Sequence, residues 1–150
     1  MYTGVPDLAT FAWCLDWCRH PVVYNGDITS RDRFQALAQR FDGVAGWMIG
    51  RGMLANPFLP GTLKNGQTIE EEQKTNRFRQ FHDALFERYH DRLSGPRHLL
   101  DRMKGLWKYF AQGFQNSDAA RKKIHKARTI AQYQAAVTAF LESGLEWKPS

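Results

Sequence analysis

The sequence predicts two unlike halves: an α/β segment built around a parallel strand–helix–strand unit, then an all-helical segment of four helices. Three observations carry that prediction. Two short, continuously apolar runs, Pro21–Tyr24 and Val44–Ile49, flank a helical stretch, the pattern of strands buried on both faces. Composition and periodicity change near Gly61–Gly66. Beyond that point apolar residues recur only at helical spacing, with no strand candidate.

The elements follow in order. Residues Asp7 to Arg19 carry Leu8, Phe11, Ala12 and Leu15 at helical spacing, flanked by Trp13 and Trp17. His20-Pro21 ends that helix, because proline cannot continue it and restricts the residue before it. Pro21–Tyr24 is the first strand, broken by Asn25-Gly26-Asp27, and Thr29 or Ser30 caps a helix over Arg31–Arg40. Val44–Ile49 is the second strand, ended by Gly50-Arg51-Gly52, and Met53–Pro57 leaves room for one helical turn. Thr68 with Glu71 forms a capping box opening a helix to about Leu93, with Phe78, Phe81, Leu85 and Tyr89 on one face. Helix Pro96–Gly113 turns Leu99, Met103, Leu106 and Phe110 inward. Ser117 caps a short basic helix. Thr129 with Gln132 opens the last, which buries Ile130, Tyr133, Val137 and Leu141 and stops at Gly144. Short links between four helices predict a small four-helix bundle.

Composition bounds the function. A chain of 150 residues with 43% hydrophobic and 24% charged residues is ordinary globular material, which excludes disorder. It has no apolar run of membrane-span length and no signal-like N-terminus, and reads as soluble and cytoplasmic. Cys14 and Cys18 cannot make a disulfide framework, and no second Cys/His pair completes a metal site, so they read as structural thiols. The net charge of +6 is concentrated: residues 97–128 hold nine Lys/Arg against Asp101 and Asp118. Such an excess attracts polyanions, and it is also what a solvated helical face looks like.

Two loops point to chemistry. Asn25-Gly26-Asp27 and Gly50-Arg51-Gly52 each follow a predicted strand and precede a helix. Glycine lets backbone approach an anion, helix-start N–H groups point at it, and Arg51 adds a forked, permanent positive charge. In (β/α)₈ barrels a phosphate site is often built from the loops after the seventh and eighth strands plus a short extra helix, a role open to Met53–Pro57. Each tripeptide also occurs as a plain tight turn.

At these residues the sequence resembles the tRNA-dihydrouridine synthases. Pro21–Ser30, PVVYNGDITS, and Trp47–Phe58, WMIGRGMLANPF, are similar to the family's last two strand–loop segments. Tyr2–Asp7 is similar to its stretch after the sixth strand. Arg97–Phe110, RHLLDRMKGLWKYF, resembles its helical tRNA-binding domain in the bacterial subfamily with an R-x-K-x-x-W helix. The resemblance implies a partial (β/α)₈ TIM barrel over residues 1–62, comprising its C-terminal βα units, and a helical tRNA-binding domain over 67–147. It implies FMN as cofactor, with Asn25, Gly26, Asp27, Gly50 and Arg51 at the ribityl phosphate, and NADPH as the reductant that recharges the flavin. The activity implied is reduction of the C5–C6 bond of a tRNA uridine.

The family's catalytic cysteine and its flavin-ring contacts come from earlier βα units than those matched, and Cys14 and Cys18 precede the NGD strand on a helix. No catalytic residue is therefore assigned, and the chain reads as the C-terminal portion of such an enzyme, inactive alone and feeble in FMN binding. Two strands cannot close a barrel, so apolar surface is expected around Phe11, Val22, Val44 and Ile49, to be covered by a separate N-terminal barrel half or by self-association. For tRNA the candidates are Arg97, Arg102, Lys104, Lys108 and Tyr109. Trp107 reads as packing, and the Arg121–Lys126 run as a solvated tail. The alternatives are a tRNA-binding helical module or partner subunit without catalysis, and an inert remnant.

Overall fold

A computed structural model describes residues 4–66, 69–144 and 146–148. They fall into two compact units, 4–66 and 69–148.

The first unit begins with α1, Leu8–Trp17, capped by Asp7, whose carboxylate accepts from the amides of Ala9 and Thr10 at 3.0 Å. The helix ends earlier than its periodicity suggests. Cys18 is already extended, since Pro21 bars helical geometry at His20. Strand β1, Val23–Asn25, pairs in parallel with β2, Gly46–Met48, in the register Val23↔Gly46, Tyr24↔Trp47 and Asn25↔Met48. Both strands are shorter than the apolar runs that announce them, although the Ala45 amide donates to the Val22 carbonyl one step before the ladder. Between them lies α2, Arg31–Arg40, with Ser30 as its cap. After β2 come α3, Arg51–Ala55, and a helix absent from the sequence reading, α4, Leu59–Asn65. It runs into the Gly61–Gly66 stretch where composition changes, and its Pro60 lies in the first turn, where proline costs no hydrogen bond.

The core of this unit is Tyr24, Ile28, Leu37 and Phe41, with Phe11, Val44, Trp47 and Ile49 packed against it. Phe11, Val44 and Ile49 are therefore not the exposed patch that two unclosed strands lead one to expect. The large exposed apolar side chains are Val5, Trp13, Trp17, Val23, Met48 and Met53. Strand alternation explains the correction: Tyr24 and its partner Trp47 face the helices, so Val23 and Met48 face the other way.

The second unit holds α5, Glu71–Arg92; α6, Pro96–Phe110; a 3₁₀ turn, Ala111–Gly113; α7, Asp118–Lys126; and α8, Ile130–Glu142. The Thr68 of the expected capping box lies outside the described residues; Glu70 occupies the cap position without a side-chain bond. The buried stripe of α5 is Phe78, His82 and Phe86, while Phe81 is 38% exposed and Leu85 and Tyr89 are half-buried. The apolar pattern missed this register because its central member is polar. On α6, Leu99, Met103 and Phe110 are buried as expected, Leu106 only half so, and Trp107 completely. Ser117 starts α7 but turns its hydroxyl to the Ala111 carbonyl, 2.6 Å away, so it does not cap. Thr129 does cap α8, and Gln132 answers by accepting from the Arg128 amide at 2.8 Å. Phe114 and Trp147 form an antiparallel bridge that ties the last described residues onto the 3₁₀ turn.

Among the described residues, no helix is long and apolar enough to cross a membrane.

Candidate functional site

In the first unit the two glycine loops leave the carboxyl ends of adjacent parallel strands. The Arg51 guanidinium pairs with the Asp27 carboxylate and so clasps one loop to the other, with both side chains partly open to solvent. Two glycines permit the close fit. A Cβ on Gly52 would stand 2.1 Å from the Ile28 carbonyl oxygen, and a Cβ on Gly26 would stand 2.3 Å from the Tyr24 hydroxyl. Neither distance is attainable: a side chain at Gly52 forces the loops apart, and one at Gly26 displaces the Tyr24 ring. The Ile28 amide donates to the Gly26 carbonyl at 2.7 Å, closing the first loop on itself.

Gly50 stands at the start of α3 with no side-chain cap, and the space where its Cβ would lie is open. The corner therefore combines a forked cation, an uncapped first turn and backbone that a ligand can approach. Of the residues singled out in sequence, Asp27, Gly50 and Arg51 meet at this corner. Asn25 lies at the end of β1 opposite Met48, and Gly26 sits over Tyr24. Asp27 is an anion, so any help it gives to a bound anion passes through Arg51.

Tyr24 has no counterpart in the sequence reading beyond its place in a strand. It is 2% exposed, and among the described residues its hydroxyl has no hydrogen-bond partner. Cys14 and Cys18 are exposed thiols, the first on α1 and the second its C-cap.

In the second unit three of the basic residues of α6 have different partners. Arg97 is exposed at its start. Arg102 lies over the Tyr89 ring of α5, 5.2 Å from its centroid, and Lys108 lies over Tyr109 at 5.8 Å. The Lys104 ammonium donates to the Ala127 carbonyl at the end of α7, a structural tie between two helices. On α7, Lys122, Lys123 and Lys126 are exposed. Partial burial pulls the His125 imidazole below its ordinary value, and the neighbouring Arg121 and Lys104 cations push the same way.

A buried polar triad also escaped the sequence reading. Tyr133 Oη accepts from Trp107 Nε1 at 2.8 Å and lies 2.7 Å from His82 Nε2, while His82 Nδ1 faces the Asp83 carboxylate at 2.9 Å. The consistent assignment has the Tyr133 hydroxyl donating to Nε2 and Nδ1–H donating to Asp83. Burial holds His82 below its usual value against the opposing pull of Asp83, and burial raises Tyr133. Neutral imidazole and neutral phenol satisfy one another inside the core.

Comparison with known proteins gives this geometry a family. The family described as dihydrouridine synthase (Dus) matches residues 16–144. The chain is 26% identical over 122 residues to a protein of Staphylococcus epidermidis named "Probable tRNA-dihydrouridine synthase". It is 28% identical over 117 residues to one of the same name from Staphylococcus aureus strain MRSA252. Each alignment covers 77% of this chain and 33% of the relative, so the chain spans about a third of the length of the curated relatives it matches. The chain belongs to the dihydrouridine synthase family.

Proposed function

We propose that this chain supplies the cofactor-phosphate seat and an RNA-holding surface of a cytoplasmic enzyme that reduces a tRNA uridine to 5,6-dihydrouridine with FMN and NADPH. Residues 1–62 then correspond to the last βα units of a (β/α)₈ barrel, and residues 67–147 to a helical tRNA-binding domain. The observation that carries the reading is the Asp27–Arg51 pair clasping two glycine loops at the carboxyl ends of adjacent parallel strands. That is where α/β folds bind phosphate.

The residues suit a phosphate monoester. Arg51 offers paired N–H donors, and Asp27 holds the guanidinium in place while leaving part of it open to solvent. Gly50 and the uncapped start of α3 present backbone donors without a side chain in the way. When bound, FMN supplies the hydride for the uracil C5–C6 bond. What this chain contributes is position: it anchors the cofactor's phosphate end. Neither Cys14 nor Cys18 belongs to the clasped loops, so neither is assigned as proton donor. These 150 residues alone, given FMN, NADPH and unmodified tRNA, form no dihydrouridine.

The test is a flavin titration followed by quenching of FMN fluorescence. The wild-type chain binds FMN weakly, and Arg51→Ala lowers the affinity by a further factor of about 10 to 100, the value of a hydrogen-bonded charge pair. Equal binding by both proteins overturns the seat.

A second reading, an RNA-binding helical module without catalysis, is favoured by the independent core of residues 69–148 and the exposed lysines of α7. Gel shift with tRNA at two salt concentrations, combined with flavin absorbance of the purified protein, separates the two readings.

A further inference from the structure

Tyr24 carries a hydroxyl that the packing of the free protein does not use. Its ring sits edge-on to Phe11 at 4.9 Å and beside Trp47 at 5.4 Å, contacts that a phenylalanine would make equally well. The hydroxyl oxygen is buried and, among the described residues, has no hydrogen-bond partner. Tyr133 marks the difference, since its equally buried oxygen meets both Trp107 and His82. Burying an unpaired hydroxyl forfeits its hydration for nothing, so retaining one signals a state in which it is paired.

The position of that oxygen identifies the state. A Cβ on Gly26 would stand 2.3 Å from it, so the hydroxyl lies directly against the backbone of the NGD loop. The next residue, Asp27, is the one joined to Arg51. The phenol thus lies beneath Gly26, one residue before the clasped Asp27, on the helix-covered side of β1. Gly26, which lies against it, is half-buried, and glycine is the residue most able to shift.

We propose that Tyr24 is a ligand-binding residue of this corner, its hydroxyl donating a hydrogen bond to an oxygen of a phosphate monoester held between the two loops, with Gly26 shifting to uncover it. The inference rests on the anion-seat reading of those loops and adds a neutral donor to a site otherwise made of a cation and backbone. A phenol O–H donates without adding charge, which suits a corner where the Arg51 charge is already shared with Asp27.

The experiment compares the full 150-residue chain with Tyr24→Phe and Arg51→Ala, each titrated with inorganic phosphate and with FMN and each unfolded thermally without ligand. The expected result is that Tyr24→Phe is at least as stable as wild type without ligand and binds both probes roughly tenfold more weakly, the loss of one hydrogen bond to a charged acceptor. Unchanged affinity in Tyr24→Phe, with Arg51→Ala impaired, overturns the role of Tyr24 and leaves the seat standing. A clear loss of ligand-free stability in Tyr24→Phe also overturns it, because the hydroxyl then has a partner in the free protein. If wild type binds neither probe, or Arg51→Ala binds as well as wild type, the seat itself falls and the Tyr24 proposal falls with it.

Discussion

The two units solve the problem of burying aromatic and polar groups in opposite ways. In residues 69–148, Phe78 meets Phe110, Trp147 and Phe114 edge-on at 5.3, 5.5 and 5.6 Å, and the polar atoms of Trp107, Tyr133 and His82 satisfy one another. In residues 4–66, a two-stranded parallel sheet is covered on its Tyr24–Trp47 face, while Val23 and Met48 stand 53% and 50% exposed on the other. Its buried tyrosine leaves an oxygen unpaired. A core whose described polar side chains satisfy one another stabilises itself. A sheet with one bare apolar face gains more from whatever surface covers it than from its own contacts. The satisfied aromatic core belongs to the second unit and the clasped loops proposed as an anion seat to the first.

That contrast can be broken most forcefully at Trp107. Its ring is wholly buried and its indole N–H is spent on Tyr133, so Trp107→Ala combines a cavity with the loss of the bond that the Tyr133 oxygen accepts. A loss of about 3–5 kcal/mol is expected, enough to unfold a small helical unit, as a denaturant titration followed by far-ultraviolet circular dichroism will report. A loss below about 1 kcal/mol means the core is not the interlocked structure described.

The next largest effect is a pH dependence. Burial lowers His82 in the folded chain, opposed by Asp83 and aided slightly by Arg79, so the folded form binds its proton less readily than the unfolded form. Stability is therefore full above the ordinary imidazole value of about 6.5. It falls as pH drops below that value, by at most about 1.4 kcal/mol per pH unit, until the folded-state value is passed. His82→Gln keeps an acceptor for Tyr133 and does not titrate, so its stability profile between pH 5 and about 6.5 should be flatter than that of wild type. Parallel profiles would assign the acid sensitivity to other groups.

The smallest effect lies on the bare face of the first unit. Met48→Thr removes an exposed thioether from a strand that tolerates β-branched residues, and should change stability by no more than about 0.5 kcal/mol. A larger loss would show that this face is covered in solution, and the dependence of that loss on protein concentration would say whether a second copy covers it.

How much of this was legible in the sequence varies with the kind of signal. Side-chain caps are local chemistry: Thr129 and Ser30, the latter one of two candidates, cap where expected, while the Asp7 cap stands at the start of a stretch recognised by periodicity alone. The α4 helix was hidden because Pro60 and Gly61 look like punctuation when the position of the proline within the first turn is unknown. Ser117 looked like a cap because its chain position is right, yet its hydroxyl bonds a carbonyl brought near by the 3₁₀ turn. At the candidate site, the two glycine loops and Arg51 could be picked out by composition and spacing. The Asp27 carboxylate as the partner of Arg51 could not, since 24 residues separate them.

The sequence by itself determined the order of elements apart from α4, the parallel strand pair and the residues that distinguish the two loops, because capping, periodicity and glycine content act over a few residues. Only the tertiary structure decided which polar groups find partners. His82, Tyr133 and Trp107 come together from three helices, Lys104 is drawn to the end of α7, and the Tyr24 hydroxyl comes to rest beneath Gly26 with no partner among the described residues. The physical reason is that hydrogen bonds are satisfied in space, at about 3 Å, and chain order does not encode which distant groups folding will bring to that distance.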